Sequence, residues 1–86
     1  MWNINYESQA MKFLEKADKV LKIKIVKYLH KVSANPTKYG KSLSGGLRGI
    51  WRYRVEDYRI LCKFEEKELI ILVIDIGHRS KIYKSK

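Results

Sequence analysis

The first third of the chain changes from an alternating to a helical pattern of apolar residues. Trp2, Ile4 and Tyr6 alternate with polar residues, and this period of two predicts a short opening strand. A helical spacing follows at once, so we predict a helix that begins near Gln9 and is capped by Ser8. The apolar stripe of this helix consists of Ala10, Phe13, Leu14 and Ala17.

A second helix is predicted between Asp18, which can cap it, and Asn35-Pro36, which ends it. Residues 21–25 also alternate with a period of two, so the local pattern leaves a strand open. The longer periodicity and the lack of a breaker favour the helix. Its apolar stripe consists of Leu21, Ile25, Leu29 and Val32, widened by Tyr28.

The second half of the chain reads as a loop followed by three strands. Residues 37–47 are rich in glycine and small polar residues, which predicts the loop. Glu56-Asp57 and Glu66-Lys67 are turn signals, and Gly77 is expected to end the last strand. The predicted strands are Ile50 to Glu56, Tyr58 to Glu65 and Glu68 to Ile76.

The order β-α-α-β-β-β predicts an α+β fold in one domain, residues 1–86. Two helices should pack on one face of a largely antiparallel four-stranded sheet. Alternation places Arg52 and Arg54 on one face of their strand and Tyr53 on the other. Arg59 on the adjacent strand should join the two arginines. We therefore expect an open basic face that could hold an RNA backbone and an unstacked base.

Composition and charge favour a nucleic-acid partner. The formal net charge is +10, and the hydrophobic fraction of 45% is that of a folded protein. An anionic membrane is the weaker alternative partner. The longest apolar run, Leu69 to Ile74, is too short to span a bilayer, and no signal peptide is evident. We expect a soluble cytoplasmic protein without a membrane partner.

The single cysteine, Cys62, lies in an apolar run and should be a buried core thiol. No Cys/His cluster has the spacing of metal ligands, so neither a metal nor a cofactor is predicted. Asp75 is isolated on its strand and is interpreted as structural.

The arginines are concentrated, whereas the lysines are spread along the chain. All five lie between Arg48 and Arg79. A guanidinium is planar and permanently charged, and it can form two hydrogen bonds with one phosphate. The cluster predicts a phosphodiester site, with a solvated strand face as the alternative.

Two segments, Lys41 to Leu61 and Ile74 to Tyr83, resemble the RelE/ParE superfamily of bacterial toxins from type II toxin–antitoxin systems. The resemblance rests on a leucine-glycine loop, the pair Arg52 and Arg54, the run Asp57-Tyr58-Arg59, and a late Gly-His-Arg-x-x-x-Tyr. It covers nearly the whole chain, because the strand-helix-helix start also fits the family fold.

The resemblance implies a function. RelE-branch toxins are ribosome-dependent endoribonucleases that cut mRNA in the decoding site, whereas ParE-branch toxins inhibit DNA gyrase and generally lack the full basic set. A RelE-like protein would have a RelB-like antitoxin, the ribosome and mRNA as partners. We expect the antitoxin to cover the basic sheet or the helices with an acidic or amphipathic segment. The site residues that carry over are Arg52, Arg54, Arg59, Arg79 and Tyr83.

The best-known RelE sites have lysines where this chain has Arg52 and Arg54. Arginine cannot exchange a proton, so these two should bind phosphate and stabilise charge rather than act as a base. His78 is the candidate for proton transfer, with an orienting role in its turn as the alternative. Tyr83 could stack on a base, donate a proton or close the core. Candidates for contact with the RNA backbone, each with simple solvation as the alternative, are Lys38, Lys41, Arg48, Lys81 and Lys84.

Overall fold

The computed structural model describes residues 1–82 and consists of two helices packed against a mixed five-stranded sheet. The α+β class is therefore confirmed. The strand order across the sheet is β1-β5-β4-β3-β2. The elements are β1 (Asn3–Tyr6), α1 (Ser8–Lys16), α2 (Lys19–Val32), β2 (Lys41–Ser42), β3 (Trp51–Val55), β4 (Tyr58–Glu65) and β5 (Ile70–His78).

Two features of the sheet differ from the prediction of four strands. The predicted loop contains β2, whose Lys41 pairs with Arg52 and whose Ser42 pairs with Trp51. Only two residues pair, and no local apolar pattern accompanies them. The other difference is that β1 lies beside β5 in parallel, with Ile4 opposite Ile71. The helices carry the chain from β1 at one edge of this sheet to β2 at the other.

The ends of several elements also differ from the prediction. Ser8 is the first residue of α1 rather than its cap; Glu7 occupies the cap position and makes no capping bond with its side chain. Asp18 caps α2 as predicted, because its carboxylate accepts a hydrogen bond of 2.9 Å from the Leu21 N–H. Gly77 does not end β5, which continues to His78.

The core lies between the helices and one face of the sheet, as the periodicity predicted. Ile25, Leu29 and Val32 of α2 are completely buried. Tyr53 is buried with them and stacks edge-on against Tyr28 at 6.3 Å between ring centroids. Val55 is also in this core, so Arg52 and Arg54 point away from the helices.

The segment before β2 is bound closely to β3. The Tyr53 hydroxyl donates to the Pro36 carbonyl at 2.7 Å, and the Trp51 indole N–H donates to the Tyr39 carbonyl at 2.8 Å. Gly40 has φ +70°, and a Cβ there would lie 2.3 Å from the Arg52 carbonyl oxygen. Only glycine lets the backbone approach β3 this closely.

Cys62 is completely buried, which confirms the core assignment. Burial raises the pKa of its thiol well above the ordinary value, because the thiolate would lose its hydration. We expect the native protein at pH 8 to resist alkylation by iodoacetamide, since the thiolate is the reactive form. Mass spectrometry should show the adduct only after unfolding in guanidinium chloride; rapid labelling of the native protein would contradict this burial.

No helix within residues 1–82 is both long and apolar enough to cross a membrane.

Candidate functional site

The pairing of β2, β3 and β4 brings four cations onto one face of the sheet. Arg52 lies opposite Lys41 on β2, and Arg54 lies opposite Arg59 on β4. Residues paired across antiparallel strands point to the same side and are close neighbours. Lys41, Arg52, Arg54 and Arg59 therefore share the face that is turned away from the helices. We call these four residues the arginine face.

The arginine face is less open than the sequence suggested. Leu61, the β4 partner of Arg52, is completely buried, and Arg59 is only 9% exposed. One reason is the turn after β5, in which Ile82 is 3% exposed and packs on Gly77, the cross-strand partner of Arg59. The expectation of a fully wet basic face is therefore wrong at Arg59 and Leu61, whereas Arg54 is exposed.

Arg59 is held by the turn that joins β3 and β4. Its guanidinium donates to the carbonyl oxygens of Tyr58 at 3.2 Å and Glu56 at 3.3 Å. Glu56 has φ +54°, a conformation that is unfavourable for a residue with a side chain. Hydrogen bonds from a charged donor therefore stabilise a strained turn. Arg59 therefore stabilises the β3–β4 turn, in addition to any contact it makes with phosphate.

Arg79 lies at the same end of the sheet as Arg54 and Arg59. Its backbone N–H donates to the Asp57 carbonyl at 2.8 Å, and its Nε lies 3.9 Å from an Asp57 carboxylate oxygen. Its side chain is 63% exposed, so this ion pair is weak and leaves the guanidinium accessible. The structure thus brings Arg79 beside the β3–β4 turn.

His78 is not brought to the arginine face. It pairs with Tyr58, and their rings meet edge to face at 5.6 Å. Tyr58 also contacts Phe13 of α1, so both rings lie on the helix side of the sheet. The His78 Nδ1 accepts the Ser80 backbone N–H at 3.1 Å. The same nitrogen lies 2.8 Å from the Ser80 hydroxyl oxygen, so the ring is bound to the turn after β5.

The predicted RNA-binding cations of the loops are on the surface. Lys38, Arg48 and Lys81 are exposed, as is Lys41 of the arginine face. Tyr83 and Lys84 lie outside the described residues.

Sequence reasoning missed an aromatic residue beside the arginines. Tyr28 was assigned only to the apolar stripe of α2, yet it lines a cleft of about 210 Å³ with Gly40, Lys41, Arg52 and Arg54. Burial, and to a lesser extent the nearby Tyr39, raise the pKa of Tyr28. The cleft forms where a helix, a loop and a strand edge meet, so no pattern within one element could have revealed it.

A larger cleft of about 540 Å³ lies on the helix side, away from the arginine face. Phe13 of α1, Leu21 of α2 and Tyr58 of β4 provide its apolar walls, and Lys12 and Lys16 are among its polar lining. Asp75 also lines it. This residue is 5% exposed and accepts the Ile76 N–H at 2.9 Å, which supports the structural interpretation given to it.

No group of three or more His, Cys, Asp and Glu side chains in residues 1–82 is arranged to hold a metal ion. The arginine face itself offers guanidinium and ammonium groups, which are donors only and cannot serve as metal ligands.

The sheet order, the two helices on one face and the arginine-bearing strands together define a toxin with the RelE/ParE fold. The chain belongs to the family described as the ParE toxin of the type II toxin–antitoxin system parDE, whose model matches residues 4–83. No curated protein sequence matches the chain.

Several solved structures share the fold. The toxin–antitoxin complex RelBE2 of Mycobacterium tuberculosis has a TM-score of 0.84 at 22% identity, over 91% of this chain and 98% of the matched chain. The isolated RelE toxin of E. coli has a TM-score of 0.79 at 19% identity, over 99% and 94%. A YafQ mutant from E. coli has a TM-score of 0.69 at 21% identity, over 96% and 99%.

Proposed function

We propose that this toxin is an endoribonuclease that cuts mRNA on the ribosome and so inhibits translation. The observation that carries the proposal is the convergence of Arg52, Arg54 and Arg59 on one sheet face, with Arg79 at the same end. A phosphodiester in the act of cleavage gains negative charge, and preorganised guanidinium groups can stabilise it. The fold shared with RelE and YafQ supports the same assignment.

Cleavage can use the RNA's own 2′-hydroxyl as the nucleophile. The 2′-hydroxyl of the RNA loses its proton and attacks the adjacent phosphorus. As the new P–O bond forms, the bond to the 5′-oxygen breaks, and that oxygen takes up a proton to become the 5′-hydroxyl. Arg52 and Arg54 would hold the phosphate so that the attacking and leaving oxygens are in line, and Arg79 would stabilise the added charge. Arg59 would keep the β3–β4 turn, and with it Arg54, in position.

Proton transfer is the role that the arginine face leaves unfilled. Arginine stays protonated, and the His78 ring lies on the helix side with Nδ1 occupied by Ser80. We therefore assign His78 to the orientation of the turn after β5. Tyr83 is the remaining candidate for moving a proton or stacking on a base, and this role rests on the sequence alone.

The products should carry a 2′,3′-cyclic phosphate and a 5′-hydroxyl, because the RNA supplies its own nucleophile. End-group analysis of the cut RNA checks this prediction: the downstream fragment should be phosphorylated by polynucleotide kinase without prior phosphatase treatment. Chelation is a poor substitute, since ribosomes themselves require magnesium. A 5′-phosphate with a 3′-hydroxyl would show that water was the nucleophile, and the mechanism would fail.

A second candidate function is inhibition of DNA gyrase, and the family description as a ParE toxin favours it. The two functions have different first effects in cells. If the toxin cuts mRNA, incorporation of labelled methionine should stop within minutes of induction while labelled thymidine continues to enter DNA. The reverse order, with filamentation, would support the gyrase hypothesis and overturn ours.

We further propose a RelB-like antitoxin as the partner of this toxin. Two of the similar structures are toxin–antitoxin complexes, and a chain with net charge +10 attracts an acidic segment. Exposed apolar residues on the helices, Met11, Val20 and Ile23, offer contacts for an amphipathic segment. Expression from the native operon should yield a tight complex of the toxin with the neighbouring gene product. A toxin that purifies alone and is harmless to its host would contradict this.

A further inference from the structure

The sheet is open along one edge beside the arginine face, because β2 is so short. β2 covers only Trp51 and Arg52, and no described strand pairs with β3 on that side from Tyr53 to Val55. α2 passes nearby on the helix side. The resulting cleft of about 210 Å³, which we call the edge cleft, is lined by Tyr28, Gly40, Lys41, Arg52 and Arg54.

The edge cleft carries positive charge on one side. Lys41, Arg52 and Arg54 contribute three cations, and none of the described residues that line it is acidic. Within residues 1–82, Lys41 and Arg54 take part in neither of the two ion pairs, which engage Lys24 and Arg79. An anionic group would therefore find favourable electrostatics and several hydrogen-bond donors in the cleft.

The opposite side of the edge cleft is aromatic. Tyr28 lies edge-on to Tyr39 at 6.2 Å and to Tyr53 at 6.3 Å, and these contacts fix the orientation of its ring. The Lys31 ammonium lies 5.3 Å from the Tyr28 ring centre and 4.9 Å from that of Tyr39. A ring of fixed orientation beside several cations is the combination that binds unpaired nucleotides, because the ring contacts the base and the cations contact the phosphate.

Size limits what the edge cleft can hold. Its volume of about 210 Å³ lies below the range of roughly 300–1,000 Å³ that is typical of pockets for drug-sized ligands. The edge cleft has room for one base but not for a base pair. A single-stranded nucleotide is therefore a better match in size to the cleft than a duplex.

We propose that the edge cleft binds one unpaired nucleotide of the RNA, with its base against Tyr28 and its phosphate on Lys41 and Arg54. This inference rests on the proposed function and deepens it. Arg52 and Arg54 belong both to the arginine face and to the cleft lining, so the bound nucleotide would be next to the phosphate that is cut.

Photo-crosslinking tests the location directly. The full-length toxin is mixed with a fluorescein-labelled hexauridylate that contains 5-iodouridine, irradiated and digested, and the adducts are mapped by mass spectrometry. The inference requires an adduct on Tyr28 or on the adjoining Tyr39. Adducts found only on other residues would overturn it.

Binding of the same oligonucleotide, measured by fluorescence anisotropy, tests the chemistry. Tyr28→Leu should weaken binding about tenfold through loss of the aromatic contact, while Tyr28→Phe should keep nearly full affinity. Because Tyr28 also packs on Tyr53, each variant is checked for folding by circular dichroism. Equal affinity for the leucine and phenylalanine variants would refute the aromatic contact.

Two variants at exposed lysines form a matched pair that tests the charge contact in the cleft. Lys41→Glu and Lys67→Glu make the same change in net charge at two exposed lysines, but only Lys41 lines the cleft. Lys41→Glu should weaken binding about tenfold. It should also reduce the salt dependence of the binding constant by roughly the amount expected for one phosphate contact, and Lys67→Glu should do neither. Equal effects would show attraction to net charge only, and the edge cleft would not be a site.

Cleavage of mRNA in a translation mixture, measured in parallel with wild-type toxin, separates this inference from the proposed function. Cleavage without an adduct in the edge cleft would refute the inference and leave the endoribonuclease standing. An adduct on Tyr28 without cleavage would support the nucleotide site and refute the endoribonuclease.

Discussion

Arg79→Ala is expected to slow mRNA cleavage by about a hundredfold or more, because each preorganised donor to the developing charge contributes about that factor. The fold should be unaffected. Arg79 is 63% exposed, and its ion pair with Asp57 is 3.9 Å long, so the free energy of unfolding should change by less than about 1 kcal/mol. Cleavage is followed by primer extension in a reconstituted translation mixture, and stability by urea denaturation.

Arg59→Ala should give a different result, and the contrast makes the test informative. Its side chain is buried and donates to Glu56 and Tyr58, so its loss should destabilise the protein by about 2 kcal/mol as well as reduce cleavage. Lys67→Ala, at an exposed turn, serves as the control and should change neither quantity.

A folded Arg79→Ala protein that cleaves like the wild type would remove Arg79 from the site.

Gly40→Ala is expected to destabilise the protein by about 3 kcal/mol or more. The new Cβ would lie 2.3 Å from the Arg52 carbonyl oxygen and 2.7 Å from a ring carbon of Tyr53, so the loop or β3 must move. The unfolding midpoint in urea measures the loss. Since Gly40 and Lys41 line the edge cleft, the same change should also weaken binding of the oligonucleotide.

Gly45 provides the matched control for this prediction. It has φ +66°, close to the +70° of Gly40, but nothing lies within 4 Å of a Cβ built on it. Gly45→Ala should therefore show only the backbone penalty of about 1 kcal/mol. Equal destabilisation by the two alanines would mean that Gly40 is not pressed against β3.

The sequence predicted best the elements whose burial has a local period. α2 is an example, because Ile25, Leu29 and Val32 repeat at helical spacing and are all buried. Alternation on β3 was equally reliable: it separated Tyr53, in the core, from Arg52 and Arg54 on the other face. These properties depend on the geometry of single elements, which the order of residues expresses directly.

The features that depend on distant segments were not predictable in this way. Gly77 looked like the end of a strand, yet pairing with Arg59 carries β5 through it. The burial of Arg59 depends on the β3–β4 turn and on the later turn in which Ile82 packs on Gly77. Arg59 does not differ in local pattern from an exposed strand residue, so its burial required the three-dimensional structure.

Primer extension on a defined mRNA in a reconstituted translation mixture tests the central claim most directly. We expect new 5′ ends within the translated region when wild-type toxin and ribosomes are both present, and far fewer when ribosomes are omitted. Arg79→Ala toxin at the same concentration should produce about a hundredfold fewer of these ends. Intact mRNA with wild-type toxin, together with inhibition of DNA supercoiling by purified gyrase, would contradict the account and make the ParE-type activity the function.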